Sequence, residues 1–284
     1  MKFVRIIPRL DIKGPNLVKG VHLEGLRVLG KPEDFAKIYY QQGADELIYQ
    51  DTVASLYQRN NLTEIISKTA ENIFIPITVG GGIRSIEDIN KVLRSGADKV
   101  SINTAAIKNP DFVNEASKNF GSSTIVIAVE VIKESNNKYL AYTDNGREYT
   151  GIDALSWIKE VQLRGAGEIL LTSIDKDGTG EGFDLNLINS VSKITNIPLI
   201  VHGGPSKPSH ITELMKQTNV SGIALASMLH YPTALNAPKL FNNYDDEGNI
   251  DFLMKSNSNK KFGNRNLMEL KKNINNQNFS IRID

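Results

Sequence analysis

The 284-residue chain contains no cysteine. That excludes disulfides, thiolate nucleophiles and cysteine-ligated metal. It also lacks an excess of either charge: 33 Lys and Arg stand against 32 Asp and Glu, for a net charge of +1. No global basic field is therefore present to draw nucleic acid. No apolar run approaches the ~18 residues needed to span a bilayer. Residues 1–8 lack the long apolar region of a signal peptide. These absences lead to the expectation of a cytoplasmic protein that binds neither nucleic acid nor membrane. His22, His202, His210 and His230 show no ligand spacing, so neither a metal nor a cofactor is expected.

What the chain does have is alternation. Short apolar, β-branched runs at 4–10, 46–50, 75–79, 99–102, 124–131, 168–172, 199–201 and 222–226 are separated by helical patterns. Near-continuously apolar strands alternating with helices imply a parallel sheet covered by helices. Eight such units fit an α/β fold of the (β/α)8 barrel type better than an open sheet. Three strands share a lead-in: Gly43-Ala44-Asp45, Gly96-Ala97-Asp98 and Gly165-Ala166-Gly167. Leu10-Asp11-Ile12-Lys13 after strand one resembles Val129-Glu130-Val131-Ile132-Lys133 after strand five. The chain reads as one barrel domain over 1–284 made of two half-barrels of about 120 residues each. Residues 133–151 suggest a small hairpin or a lid after strand five. A polar insertion is expected at 232–264, before a last helix.

Two glycine turns stand out: Val79-Gly80-Gly81-Gly82-Ile83-Arg84 after strand three, and Val201-His202-Gly203-Gly204-Pro205-Ser206 after strand seven. Each precedes a helix, and each is followed by a tract of small residues, Ser101-Ile102-Asn103-Thr104 and Ala224-Leu225-Ala226-Ser227. Glycines at a strand-to-helix turn let backbone N–H groups approach a phosphate, and the helix N-terminus favours the anion. A lone glycine pair is explained equally well by positive φ. Two copies on opposite sides of a barrel suggest one ligand with a phosphate at each end, held by Gly81, Gly82, Asn103 and Thr104 and by Gly203, Gly204, Ala226 and Ser227.

The strand ends carry Asp11, Asp51, Asn103, Glu130, Thr172, Ser173, Asp175 and Asp177, where barrels of this type hold their active sites. Any one of these acids is accounted for by capping a helix. Asp11 and Glu130, however, are related by the half-barrel repeat and end opposite strands. Two carboxyls across a substrate can serve as general acid and general base if their pKa values are separated. At the other end, Arg5, Glu46, Lys99 and Glu168 begin strands one, two, four and six. They are either four unrelated surface charges or a neutral ring across the barrel bottom. A polar ring costs stability relative to an apolar plug, which hints at passage through it.

These segments bring a family into view. The chain resembles the cyclase subunit of imidazole glycerol phosphate synthase along 1–231, and more weakly at the last helix and 279–283. The resemblance is carried by Leu10-Asp11, Val18-Lys19-Gly20, Asp45-Glu46-Leu47, Asp51, Thr78-Val79-Gly80-Gly81-Gly82-Ile83, the run from Gly96 to Ala105, the run from Gly165 to Asp175, Asp177-Gly178-Thr179, Gly203-Gly204 and Leu225-Ala226-Ser227. It implies a barrel paired with a glutaminase subunit. Ammonia would cross a charged gate of Arg5, Glu46, Lys99 and Glu168, with Thr78 and Asp98 in the partner-facing region. It implies a bisphosphate substrate, a phosphoribulosyl formimino aminoimidazole carboxamide ribonucleotide, which ammonia converts to imidazole glycerol phosphate and aminoimidazole carboxamide ribonucleotide. Asp11 and Glu130 would be catalytic, and Lys19, Asp51, Thr172, Ser173 and Asp177 would contact substrate. Glu130 stands where the family has aspartate. Arg9 before Asp11, His202 and Pro205 around the second turn, and the 232–264 insertion also depart from the pattern. Such departures resemble a side branch of the family that delivers ammonia for amidation of surface-polysaccharide sugars, with little or no cyclase activity. A related ribonucleotide isomerase shares the repeat and the acids but needs no gate.

Overall fold

In the computed structural model, residues 3–54, 62–236 and 261–283 are described. Eight strands form a closed parallel ring: β1 (Arg5–Lys13), β4 (Leu47–Asp51), β5 (Ile77–Gly80), β6 (Lys99–Ile102), β7 (Ile125–Lys133), β10 (Glu168–Ser173), β11 (Leu199–His202) and β12 (Gly222–Leu225). The pairing of β10 with β7 and of β1 with β12 closes the circle. The eight expected strands are thus the eight staves of a (β/α)8 barrel. Most of their residues are buried because helices cover the outer face while side chains fill the inner one.

Two antiparallel hairpins extend the ring. β2 (Asn16–Val21) and β3 (Glu24–Gly30) extend β1, while β8 (Tyr139–Thr143) and β9 (Glu148–Asp153) extend β7. The second hairpin was expected, the first was not. Together they make the repeat more complete than the sequence suggested, since each half-barrel opens with a strand that folds back over the mouth. The shared lead-ins are structural. Asp45 accepts a hydrogen bond from Ile6 N at 2.7 Å, and Asp98 from Ile77 N at 2.8 Å. Each thereby ties its own strand start to the preceding stave.

The helices after the two glycine turns begin differently. Ser85 caps Ile86–Arg94 in a reciprocal capping box with Asp88, whereas Pro208–Gln217 starts on proline without a side-chain cap. The polar insertion expected from 232 does not start there: Pro232 lies buried inside the helix Ser227–Asn236. Residues 237–260 lie outside the described residues. The chain returns as Lys261 and Phe262 at the mouth, then as the helix Leu267–Asn275. No helix among the described residues is long and apolar enough to cross a membrane.

Candidate active site

Alternate residues of a strand share a face, so each stave sends every second side chain into the barrel. Three layers result. At the bottom, Arg5 Nη1 donates to Glu46 Oε1 at 2.6 Å and Nη2 to Glu168 Oε1. Lys99 Nζ lies 3.3 Å from Glu46 and 3.1 Å from Glu168. The four expected ring residues thus form one neutral cluster. Burial disfavours the Arg5 charge, but the carboxylates of Glu168 and Glu46 outweigh it and raise its pKa. Above the ring sits a separate apolar cluster of Ile7, Ile48, Val126, Ala128, Leu170, Ile200 and Ala224. The third layer is the polar mouth.

The mouth is filled unevenly. On the side of the first glycine turn a cavity of about 270 Å3 is lined by Gly81, Gly82, Asn103, Thr104, Asp51 and Glu130, together with Arg84, Lys108, Asp144 and Asn145. Gly81 has φ +98°, and a Cβ there would stand 2.4 Å from Asp51 O, so the turn admits no larger residue. The β8–β9 hairpin forms one wall: Asn103 Nδ2 donates to Tyr142 O, Asp144 N donates to Thr104 Oγ1, and Gly146 N donates to Glu130 Oε2 at 2.9 Å.

On the other side only about 10 Å3 remains among Gly203, Gly204, Ala226, Ser227, Asp177, His202 and Phe262, room for no more than a water. Phe262 is buried there and stacks on Tyr231 at 5.3 Å. Lys261 Nζ donates to Thr179 O. The turn residues and the small-residue tract are brought together as expected, but a segment of the chain itself covers them.

Between the two sides lies a buried charge network. Arg9 Nε donates to Asp11 Oδ1 at 2.9 Å, and Arg9 Nη1 to Thr172 Oγ1 at 3.0 Å. Lys19 Nζ is 2.7 Å from Asp177 Oδ2 and 3.6 Å from Asp11 Oδ2. His202 Nε2 is 3.2 Å from Asp177 Oδ1. Leu23 N donates to Asp177 Oδ2, anchoring the first hairpin. Burial disfavours the Asp11 carboxylate, yet Arg9 and Lys19 outweigh it and hold its pKa below the ordinary value. Asp177 is lowered in the same way by Lys19 and His202. Burial, then Arg9, push His202 down.

Two cations therefore match two anions, and the third carboxyl is left over. Glu130 is 4% exposed and forms no ion pair among the described residues. Its burial raises its pKa from 4.5 to about 7 despite Arg9 and the Gly146 N–H. The folded protein thus holds this proton more tightly than the unfolded chain. Stability from this group is greatest in acid and falls as pH rises from about 4.5 through 7, by roughly 3 kcal/mol. Glu130→Gln is expected to remove that slope, raising stability at pH 8 more than at pH 5. Urea unfolding at both pH values checks it, and an unchanged pH slope in the variant would contradict the buried, unpaired carboxyl.

The remaining expected residues lie around these features or beneath them. Ser173 and Thr172 are buried at the end of β10, and Asp51 accepts a bond from Val53 N at 2.9 Å. Thr78 is fully buried in β5. His230 packs under the mouth: its Nε2 donates to Arg9 O at 2.8 Å and its Nδ1 accepts from the Tyr39 hydroxyl at 2.7 Å. Burial lowers its pKa to about 4, so it is neutral. Among the described residues no group of three or more His, Asp or Glu side chains is arranged to hold a metal. Arg84, Lys108, Asn145 and Phe262 were not read from the sequence as parts of the mouth.

Residues 5–234 match a family model described as "Histidine biosynthesis protein". A Legionella pneumophila protein named "Imidazole glycerol phosphate synthase subunit HisF" is 59% identical over 207 residues, covering 73% of this chain and 98% of that protein. Proteins of the same name from Streptococcus mutans and Methanococcus vannielii are each 45% identical, covering 80% of this chain and 90% and 91% of theirs.

Proposed function

The chain belongs to the histidine biosynthesis protein family, and on that premise we propose that it is the cyclase subunit of imidazole glycerol phosphate synthase, fed with ammonia by a glutaminase subunit. The observation that carries this reading is the stacking inside the barrel: a charged ring at the bottom, an apolar interior, and two carboxyls at the mouth. Ammonia enters through Arg5, Glu46, Lys99 and Glu168, crosses the apolar layer as a neutral molecule and meets substrate above it. The glutaminase docks on the N-terminal face, with Asp98 and the β5 stave bearing Thr78 in that region. A concave basin of about 570 Å3 around Arg5, Lys99 and Glu168, with Phe3 65% exposed beside it, supports docking on that face.

The substrate is a bisphosphate. One phosphate sits against Gly81, Gly82, Asn103 and Thr104, within reach of Arg84 and Lys108. The other takes Gly203, Gly204, Ala226 and Ser227, and Phe262 has to vacate that turn for it to bind. Asp51, Thr172, Ser173, Lys19 and Asp177 surround the middle of the ligand, and Asp11 and Glu130 do the proton chemistry. The ammonia nitrogen bonds to the formimino carbon as the bond to the aminoimidazole ribotide breaks, and its condensation with the ribulosyl carbonyl, with loss of water, closes the imidazole ring.

Lys99→Met tests the gate. In the complex, glutamine-driven turnover is expected to fall by at least about tenfold more than ammonium-driven turnover, the effect of about 1.4 kcal/mol on one step. Equal losses with the two ammonia sources would remove the ring from the ammonia path.

A second reading, a cyclase-like paralogue that delivers ammonia for amidation of a surface-polysaccharide sugar, is favoured by one observation: the second phosphate turn is covered by Phe262 and holds only about 10 Å3. Calorimetric titration with the bisphosphate separates the two, because the cyclase reading requires binding and the conduit reading does not.

A further inference from the structure

Strand β1 sends Arg5, Ile7, Arg9 and Asp11 to the same face. Arg5 joins the bottom ring, Ile7 the apolar layer and Asp11 the mouth. Arg9 therefore stands where the interior meets the mouth, 1% exposed. Its guanidinium cannot shed its charge, and in that position it requires a permanent anion beside it. Asp11 is that anion, at 2.9 Å. Thr172 takes a second N–H, and Arg9 Nη2 has no hydrogen-bond partner among the described residues.

We propose that Arg9 is a positioning residue that divides the two mouth carboxyls between opposite proton roles: it fixes Asp11 as the carboxylate that accepts a proton and leaves Glu130 as the carboxyl that gives one. Every charged or titratable group facing the pair is consistent with that division. Arg9 on β1 and Lys19 on β2 face Asp11, with Asp177 and His202 beyond Lys19 and the neutral His230 held against Arg9 O. Glu130 is met by the Gly146 N–H, with Arg9, Asp11 and Asp144 acting at longer range. The directions of the two carboxyl pKa values agree with the geometry, one lowered and one raised. The assignment of protonation states stands on this geometry, while their use in ring closure rests on the cyclase reading. In that use Asp11 takes the proton shed by the attacking ammonia nitrogen, and Glu130 supplies the proton that the departing ribotide nitrogen needs. Asp11 is then protonated and Glu130 ionised, and one proton exchanged through solvent restores both.

The test is a pH titration of protein carrying 13C-labelled carboxyls in Asp and Glu, followed by NMR on the full chain without substrate. In the wild type, Glu130 is expected to titrate near pH 7 and Asp11 to stay ionised across the range of ordinary carboxyls. In Arg9→Met, Asp11 is expected to enter that range and Glu130 to move higher, with Arg9→Lys restoring the Asp11 behaviour. In turnover with ammonium, Arg9→Met is expected to lower kcat by about 10²-fold, the size of one misassigned proton transfer, with KM changed far less. A wild-type Glu130 that titrates like an ordinary glutamate, or an Asp11 signal identical in wild type and Arg9→Met, overturns the proposal. The wild-type arm does not depend on any variant folding. Titrations as expected without turnover of the bisphosphate refute the cyclase reading and leave the assignment of Arg9 standing.

Discussion

Asp11→Asn is expected to abolish cyclisation and to destabilise the protein by about 3–5 kcal/mol, the usual cost of removing one partner from a buried ion pair. The chemical loss follows from removing a group that carries a proton in the reaction, worth about 10²–10⁴-fold. The loss of stability follows from Arg9 and Lys19, both 1% exposed, which would share Asp177 as their remaining anion. The sign of the pH dependence is fixed. The Asp11 pKa is lowered in the fold, so its contribution is present above the ordinary carboxyl range and is lost as pH falls through the depressed value. The gap between wild type and variant should therefore be widest at neutral pH and narrow in acid. Chemical denaturation at pH 7 and at about pH 2, below the ordinary carboxyl range, alongside turnover with ammonium, measures both losses. A variant as stable as wild type at pH 7 would contradict the charge network.

The second large effect is expected at Asp177. This carboxylate receives both Lys19 and His202 and accepts the Leu23 N–H. Asp177→Asn strands Lys19 in the interior, again at about 3–5 kcal/mol, and loosens the tip of the β2–β3 hairpin. Hydrogen exchange should quicken at Leu23 and along β3 before it does in β7 or β10. Because a well-packed apolar replacement of a buried pair is often neutral, Lys19→Met combined with Asp177→Leu should recover most of the stability lost by the single variant. Activity should not return with it. Additive losses in the double variant would mean that the two side chains are not coupled.

The barrel was legible because its signal is redundant. Eight apolar runs, three Gly-Ala lead-ins and the Asp11/Glu130 echo all give the same periodicity. The β2–β3 hairpin escaped notice because Lys19, Glu24 and Arg27 interrupt its alternation and two register shifts break its ladder. Pro232 read as a boundary, yet it sits inside a buried helix. Arg9 was placeable in principle, since the spacing Arg5-Ile7-Arg9-Asp11 sends all four residues inward. A charged residue deep in a barrel is improbable until its anion is known, and Thr172, its other partner, lies 163 residues away. The protonation of Glu130 was not legible at all. It depends on a count of buried cations and anions drawn from β1, β2, the loop after β10, and β11, which exists only once the barrel has closed. The covering of the second glycine turn by Phe262 is a long-range contact of the same kind.

One measurement tests the central claim most directly. Purified full-length protein is mixed with the phosphoribulosyl formimino aminoimidazole carboxamide ribonucleotide and excess ammonium salt at neutral to mildly alkaline pH, and loss of substrate absorbance is followed together with release of imidazole glycerol phosphate. The account predicts turnover by the wild type and none by Asp11→Asn. A folded wild-type protein that leaves the bisphosphate unchanged would contradict it.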